Sequence, residues 1–550
     1  MAPWSTTSRA LVVVGTFGLV WAHAIGLTRF VDPTDIDWMF EGDWQAMLFG
    51  WLFTRAAPWS LPLAQAPGLL YPHGSSTALT DAVPLLSVLG KLLSPLFGER
   101  FQLHGLWMVS GVVGTGVAGV LVSRPHLRDA PSLTLAGLLF VMNPVVTSRV
   151  GHPPFFALWM LLGLVGLCFW PLSDARTARR VALGLVGIEV LICSVTAYLA
   201  VMGAVVMAGG IWRVVLSRRL SWREALGWLL AAPTAALGTL WAFGFVAGAT
   251  GGGSAQIAVE GFGEFSADLL ALINPMGWSR YVPTLGMRGR QYEGFSYLGL
   301  GVFALLLLRL ALLRRHRPSR ASLLTALPVL LALTLTTIYS WSNIVTVGGV
   351  QVADFSSFYE RLGQWPSVFR SSGRFMWPLY LALTLSAVTA ARHLGASARV
   401  AVLFAAVVVQ LTDVNPLRAN LHRQWPHFTG LTDPAWRLLG NDYRHLLVHP
   451  VQIQWTCPFD EKLVAGLSWE AYTQGLTINS GHVGRAPPGT DCHRHLREDE
   501  LNDDTVYVPY FPQYFADLPA ERFICGRLDG RRVCVSRARD TAFARALAGR

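Results

Sequence analysis

Long apolar runs recur through the first 415 residues, each near the length of a bilayer-crossing helix, with short arginine-rich loops between them. They lie near 9–28, 101–123, 131–147, 154–171, 181–196, 198–213, 225–248, 295–313, 322–340, 375–391 and 399–413. This pattern predicts an α-helical polytopic membrane protein with about eleven transmembrane helices. The first run lacks a small-residue cleavage site followed by a polar mature domain, so it reads as an anchor rather than a signal peptide. The stretch DAVPLLSVLGKLLSPLFG at 81–98 is expected to be interfacial or re-entrant, because a full crossing there would invert the side of every later loop.

Hydropathy collapses at TDVNPLRANLHRQWPHF, dividing a membrane domain, 1–415, from a tail, 416–550. The tail mixes a helical signal (DPAWRLLGNDYRHLL, with Asp433 as cap before Pro434) with short strand-like runs (HPVQIQW, DTVYVPY and RRVCVSR), predicting a small α+β domain. Four of the six cysteines fall here: Cys457, Cys492, Cys525 and Cys534. ICGRLDGRRVCV reads as a hairpin with a cysteine on each arm, so Cys525–Cys534 is the expected bridge and Cys457–Cys492 the second. A zinc site is the rival reading, but no CxxC element is present. Cys168 and Cys193 lie inside apolar runs and read as buried apolar residues. GATGGGSA at 248–255 reads as a flexible entry to a later loop, and no internal repeat stands out.

Charge gives the orientation. Arg9, the groups Arg124/Arg128, Arg176/Arg179/Arg180, Arg213/Arg218/Arg219/Arg223 and Arg314/Arg315/Arg317/Arg320, and the pair Arg392/Arg399 occupy alternate loops, which the positive-inside rule assigns to the cytoplasm. The loop at 30–100, those at 249–294 and 342–374, and the tail then face outward, where an oxidising compartment suits the cysteines. Only Lys91 and Lys462 are lysines, a usage that points to a GC-rich bacterial genome, so the expected location is a bacterial inner membrane with a periplasmic C-terminal domain. A hydrophobic fraction of 52%, a charged fraction of 14% and a mean hydropathy of +0.42 exclude an ordinary soluble globular protein. The net charge of +11 follows from topology-setting arginines facing lipid, so no nucleic-acid partner is expected.

The outward loop at 30–100 gathers acids: Asp32, Asp35, Asp37, Glu41, Asp43 and Asp81. From Asp43, the positions Trp44, Met47, Leu48 and Trp51 follow the helical period, predicting an amphipathic helix along the interface, capped by Asp43, with Trp44, Trp51 and Trp59 at headgroup depth. Asp35-Ile36-Asp37 reads as DxD, a candidate oxygen-ligand pair for Mn²⁺ or Mg²⁺; no other cofactor motif is evident. Asp81 precedes an apolar run and reads as a cap or turn residue, or as a second catalytic acid, while Tyr71 and His73 in YPHGSS could line an acceptor pocket.

An outward first loop with an acid soon after the first span resembles the GT-C class of membrane glycosyltransferases, which take sugars from polyprenyl-phosphate or -diphosphate donors. The elements GDWQAMLFGWLFTRAAPW, YPHGSSTALTDAVPLL, QYEGFSYLGLG and FRSSGRFMWPLY, across residues 40–390, also resemble a bacterial family of multi-span membrane proteins of uncharacterised activity. The first resemblance implies a GT-C-like fold and a loop carboxylate that deprotonates an acceptor hydroxyl, with Asp43 the first choice and His152 a possible second base. It also implies outward cations for the donor phosphate, for which Arg149, Arg290, Arg370 and Arg374 are available. Arg370 and Arg374 would share a face if their helix began early. Glu293 is expected to pair with Arg290 or to orient an acceptor, and Glu189, inside a span, is expected in a buried pair. The leading reading is transfer of a sugar from a polyprenyl-phosphate donor to a cell-envelope glycan, lipid or protein. Alternatives are a flippase or transporter for a lipid-linked glycan, and a non-catalytic envelope scaffold.

Overall fold

The computed structural model describes residues 5–245, 261–313, 315, 319–415, 428, 430–484, 486–487 and 489–550. The glycine-rich stretch at 248–255 and most of the boundary segment 412–428 lie outside them. The chain divides into two compact units. Met1–Val31, His104–Leu240 and Ile257–Gln424 form the first; Asp32–Leu103, Trp241–Gln256 and Trp425–Arg550 form the second. Residues 32–103, expected as a loop of the membrane domain, thus group with the C-terminal segment.

The first unit is mostly helical, and each of the expected apolar segments is helical over most of its length. Among the described residues six helices are long and apolar enough to cross a membrane: His104–Ser123, Ala130–Thr147, Ala197–Leu216, Trp222–Ala242, Arg320–Trp341 and Ala396–Asp413. The count of eleven crossings is not confirmed. Pro153–Cys168 and Leu300–Leu313 are shorter, and Ala175–Cys193 carries Arg176, Arg179 and Arg180 in its first turns. Side-chain caps start several helices: Asp129 accepts from Ser132 N at 2.8 Å, and Asp174 from Thr177 N at 2.8 Å. Asn143 Oδ1 accepts from the amides of Val145 and Val146 and from the hydroxyl of Tyr380 at 3.1 Å, joining a helix start to the helix Trp377–Ala390.

Small residues let these helices approach closely, as lipid-facing bundles require. A Cβ at Gly111 would lie 2.4 Å from the Phe156 carbonyl oxygen, and one at Gly119 would lie 2.3 Å from the Phe140 ring. The helix His104–Ser123 therefore packs through a glycine-lined face.

The second unit holds a five-stranded mixed sheet in the order Thr477–Ile478, His445–His449, Thr505–Pro509, Arg531–Ser536, Phe523–Leu528. The strand His445–His449 runs parallel to both neighbours, and the last two strands form the expected hairpin, turning at Asp529-Gly530. Both expected disulfides form, Cys457–Cys492 and Cys525–Cys534. HPVQIQW, by contrast, is not a strand: the strand is His445–His449, because Pro450 has no N–H to continue the ladder. Asp433 caps a short 3₁₀ turn, Pro434–Leu438, accepting from Ala435 N at 2.9 Å.

The helix Asp43–Ala56 corrects a further expectation. Every residue from Trp44 to Thr54 is buried, so this is a core helix of the second unit rather than an amphipathic helix on an interface; only Trp59, beyond it, is exposed. Trp51 Nε1 donates to the Phe101 carbonyl at 2.6 Å. The 81–98 stretch forms the helix Pro84–Leu93, whose length of about 15 Å is half a bilayer core.

The glycine face makes a direct prediction. Gly111→Leu should lower stability by about 1–3 kcal/mol or more, because the side chain meets backbone that cannot swing aside. Gly15→Ala, with nothing within 4 Å of its new Cβ, should leave it unchanged or slightly raised. Thermal unfolding of the two variants in the same detergent tests the contrast.

Candidate functional site

In the first unit four chain segments distant in sequence meet around Glu293 and Phe265. Glu293 lies in the short 3₁₀ turn Gln291–Gly294, ahead of the helix Leu300–Leu313. Its Oε2 accepts from Arg149 Nη1 at 2.6 Å and from Arg374 Nε at 3.0 Å and Nη2 at 2.9 Å. Arg149 also donates to the Glu293 carbonyl at 2.9 Å and to the Tyr292 carbonyl at 3.3 Å. All three charged side chains are about 95% buried. His152 Nε2 stands 3.7 Å from Glu293 Oε1. Burial alone would raise the Glu293 carboxyl, but Arg374 and Arg149 outweigh it and hold the group well below the usual carboxylate range.

Aromatic faces complete the cluster. Arg374 lies 4.4 Å from the Phe155 ring centre and 4.7 Å from that of Tyr198, and Arg149 lies 5.4 Å from Trp377. Arg290 and Arg370 both stack on Phe265, each 5.4 Å from its centre. The four arginines singled out in the sequence are thus brought together, although not as anticipated. Arg370 and Arg374 do not share a helical face: a 3₁₀ turn, Ser372–Met376, precedes the helix, which starts at Trp377. Arg149 and Arg374 are ion-pair partners of Glu293, while Arg290 packs on Phe265. Among the described residues the buried Nε of Arg149 makes no hydrogen bond.

In the second unit Asp43 is the first residue of its helix, not the cap. Gly42 occupies that position at φ 60°, which glycine adopts without strain. The Glu461 carboxylate accepts from the Gly42 amide, and Gln45 Nε2 donates to the Glu461 carbonyl at 3.0 Å, so the start of one helix is pinned to the start of another, Glu461–Thr473. Asp43 Oδ1 lies 3.4 Å from Nε2 of His482, whose ring is buried beside Phe459 while the Asp43 side chain is 41% exposed. His482 was missed in the sequence; a lone histidine 439 positions from Asp43 gives no local signal.

The remaining candidates separate. Asp37 pairs with Arg100, and Asp35 Oδ1 accepts from the Asp37 amide at 3.1 Å. Among the described residues no group of three or more His, Cys, Asp or Glu side chains gathers to hold a metal. Asp81 lies in a turn at φ 54°, two residues before the cap position Val83, and so is a turn residue rather than a cap. Tyr71 stacks on His445, ring centres 4.1 Å apart, and its amide donates to the Ile478 carbonyl, while His73 is exposed. Glu189, expected in an ion pair, instead accepts from the Cys193 thiol at 3.4 Å, and its other oxygen has no hydrogen bond among the described residues.

Fold and site together define a mostly helical membrane protein with a disulfide-bonded α+β region and a buried arginine–carboxylate cluster. The family model described as "Domain of unknown function (DUF6311)" matches residues 15–415, and the DUF6311 C-terminal domain matches 435–536; the chain belongs to this family. No curated protein matches it. Among solved structures it is similar to the apo oligosaccharyltransferase of Archaeoglobus fulgidus, at 12% identity and a TM-score of 0.44, covering 86% of this chain and 64% of that one. The chain therefore spans less than two thirds of that protein's length.

Removing the shared carboxylate should be costly. Glu293→Gln leaves Arg149 and Arg374 buried without their counterion, an expected loss of about 3–5 kcal/mol. The folded carboxyl is depressed, so the wild-type contribution is complete above the ordinary carboxylate range and is lost only as pH falls through the lowered folded value. Melting curves across acid pH should show the wild-type advantage over Glu293→Gln shrinking below the ordinary range.

Proposed function

We propose that this protein transfers a sugar from a polyprenyl-phosphate-linked donor to a cell-envelope acceptor on the outer face of a bacterial inner membrane. The observation that carries the reading is the gathering of Arg149, Arg290, Arg370 and Arg374 around one carboxylate and one aromatic ring. Guanidinium forks bind phosphate oxygens bidentately, and fixed aromatic faces hold them in place. A cluster of this kind suits the phosphate of a lipid-linked donor.

Asp43 is the base. Its carboxylate takes the proton of the acceptor hydroxyl as that oxygen bonds to the anomeric carbon. The bond from that carbon to the phosphate oxygen breaks, its electron pair leaves with the lipid phosphate, and the anomeric configuration inverts. His482 is a positioning residue: its buried ring lies against Asp43 Oδ1 and restricts the directions the carboxylate can face.

Asp43→Asn should reduce consumption of polyprenyl-phosphate sugar by about 10²–10⁴-fold in purified protein and alter the glycan profile of the host. His482→Gln should lose less, about ten- to a hundredfold, and should move the pH dependence of kcat/KM, which a merely structural residue would not. Turnover by Asp43→Asn equal to wild type removes Asp43 as base.

A further inference from the structure

A cavity of about 440 Å³ opens within the second unit, in the size range of small-ligand sites and apart from the residues given roles above. One wall is the helix Glu461–Thr473, which presents Trp469 and Glu470 in succession; another carries Asp37, Phe40 and Arg100, and a third Trp436 and Arg437. The Trp469 ring is held edge-on by Phe40, centres 5.8 Å apart, and tilted against Tyr472 at 5.8 Å, with the Arg100 guanidinium 6.0 Å away. Trp469 itself remains partly exposed. An aromatic face held rigidly at the wall of a cavity is a preformed platform that loses little conformational entropy when a ligand packs on it.

The polar groups decide the class of ligand. Asp37 is neutralised by Arg100, and Asp433, also at the wall, by Arg550. Glu470 and Arg437 remain and balance each other, so the lining selects neither anions nor cations. Glu470 accepts from Gln474 Nε2 at 2.9 Å through one oxygen, and among the described residues its other oxygen, the Arg437 guanidinium and the Trp469 indole N–H make no hydrogen bond. Burial pushes the Glu470 carboxyl up, while Gln474 and Arg437 oppose that shift. A purely apolar ligand would strip water from these groups without replacing its hydrogen bonds. The matching chemistry has an apolar ring face and a rim of neutral hydroxyls.

We propose that this cavity binds neutral carbohydrate, with a sugar ring packed on Trp469 and its hydroxyls bonded to Glu470 and Arg437. The inference does not rest on sugar transfer: binding is read without donor, so it holds or fails whatever Asp43 does.

The test is saturation-transfer NMR on the full chain in nanodiscs with maltotriose, chitotriose and mannotriose, using trigalacturonate and a tetra-alanine peptide as charged and non-sugar controls. At least one neutral trisaccharide should bind, weakened about tenfold or more by Trp469→Ala and about threefold by Glu470→Gln. Arg437→Ala, at an exposed position, should weaken it similarly to Glu470→Gln and keeps the test decisive if Trp469→Ala fails to fold. No binding of any neutral trisaccharide, binding indifferent to Glu470→Gln and Arg437→Ala, or preference for trigalacturonate or the peptide would each overturn the proposal.

Discussion

A single buried carboxylate organises the first unit. Glu293 is held by Arg149 and Arg374, so a turn at 291–294 is tied to residues 144 positions before it and 81 after. Desolvating three charges is expensive, and such a cluster persists only where each group finds several partners at good distance. Here the carboxylate receives three N–H groups, and Arg149 also reaches two carbonyls. Close backbone approach makes this geometry possible. A Cβ on Gly373 would lie 2.7 Å from the Gly294 Cα, and one on Gly294 would lie 2.7 Å from the Ala267 Cα, so glycines at the crossing bring the two turns near enough for Arg374 to reach Glu293. The aromatic rings of Phe155 and Tyr198 face the Arg374 guanidinium, and Trp377 faces that of Arg149.

The second unit is built on a different principle. Its sheet is joined to residues 32–103 by paired backbone and by packed rings: the Tyr71 amide bonds the Ile478 carbonyl, Leu69 bridges Ile478, and Phe40 meets Trp469. Two disulfides brace its loops and hairpin. The acids of this region mostly serve that construction, Asp37 with Arg100 and Asp460 with Arg531 and Tyr510, which is why an excess of carboxylates alone was a weak guide to chemistry.

What could be read from the sequence follows the range of the interaction responsible. Apolar runs, the Asp529-Gly530 hairpin and the cysteine pairs are local patterns, and they appear where the residues placed them. Arg149, Arg290, Arg370 and Arg374 were named in the sequence as cations expected to face outward, yet which of them would hold Glu293 was not legible, since that depends on a turn geometry set by Gly294 and Gly373. The helix Asp43–Ala56 misled for the same reason: its tryptophan period resembles a half-exposed face, and its cover comes both from Trp38, Gly90 and Phe101 and from residues beyond 425. His482 lay beyond any local pattern. The strand ending at His449 rather than continuing through Pro450 was legible in principle from the missing N–H.

That arrangement bears on how the chain is made. The helix Asp43–Ala56 leaves the ribosome more than three hundred residues before the segment Glu461–Thr473 that packs against it. At ordinary rates of synthesis the interval is on the order of tens of seconds. Throughout it the rings of Phe40 and Phe53 lack the contacts with Trp469 and Tyr472 that complete their packing, although Phe49 and Gly68 already lie against them. The core of the second unit is therefore completed only after every helix of the first unit has been made.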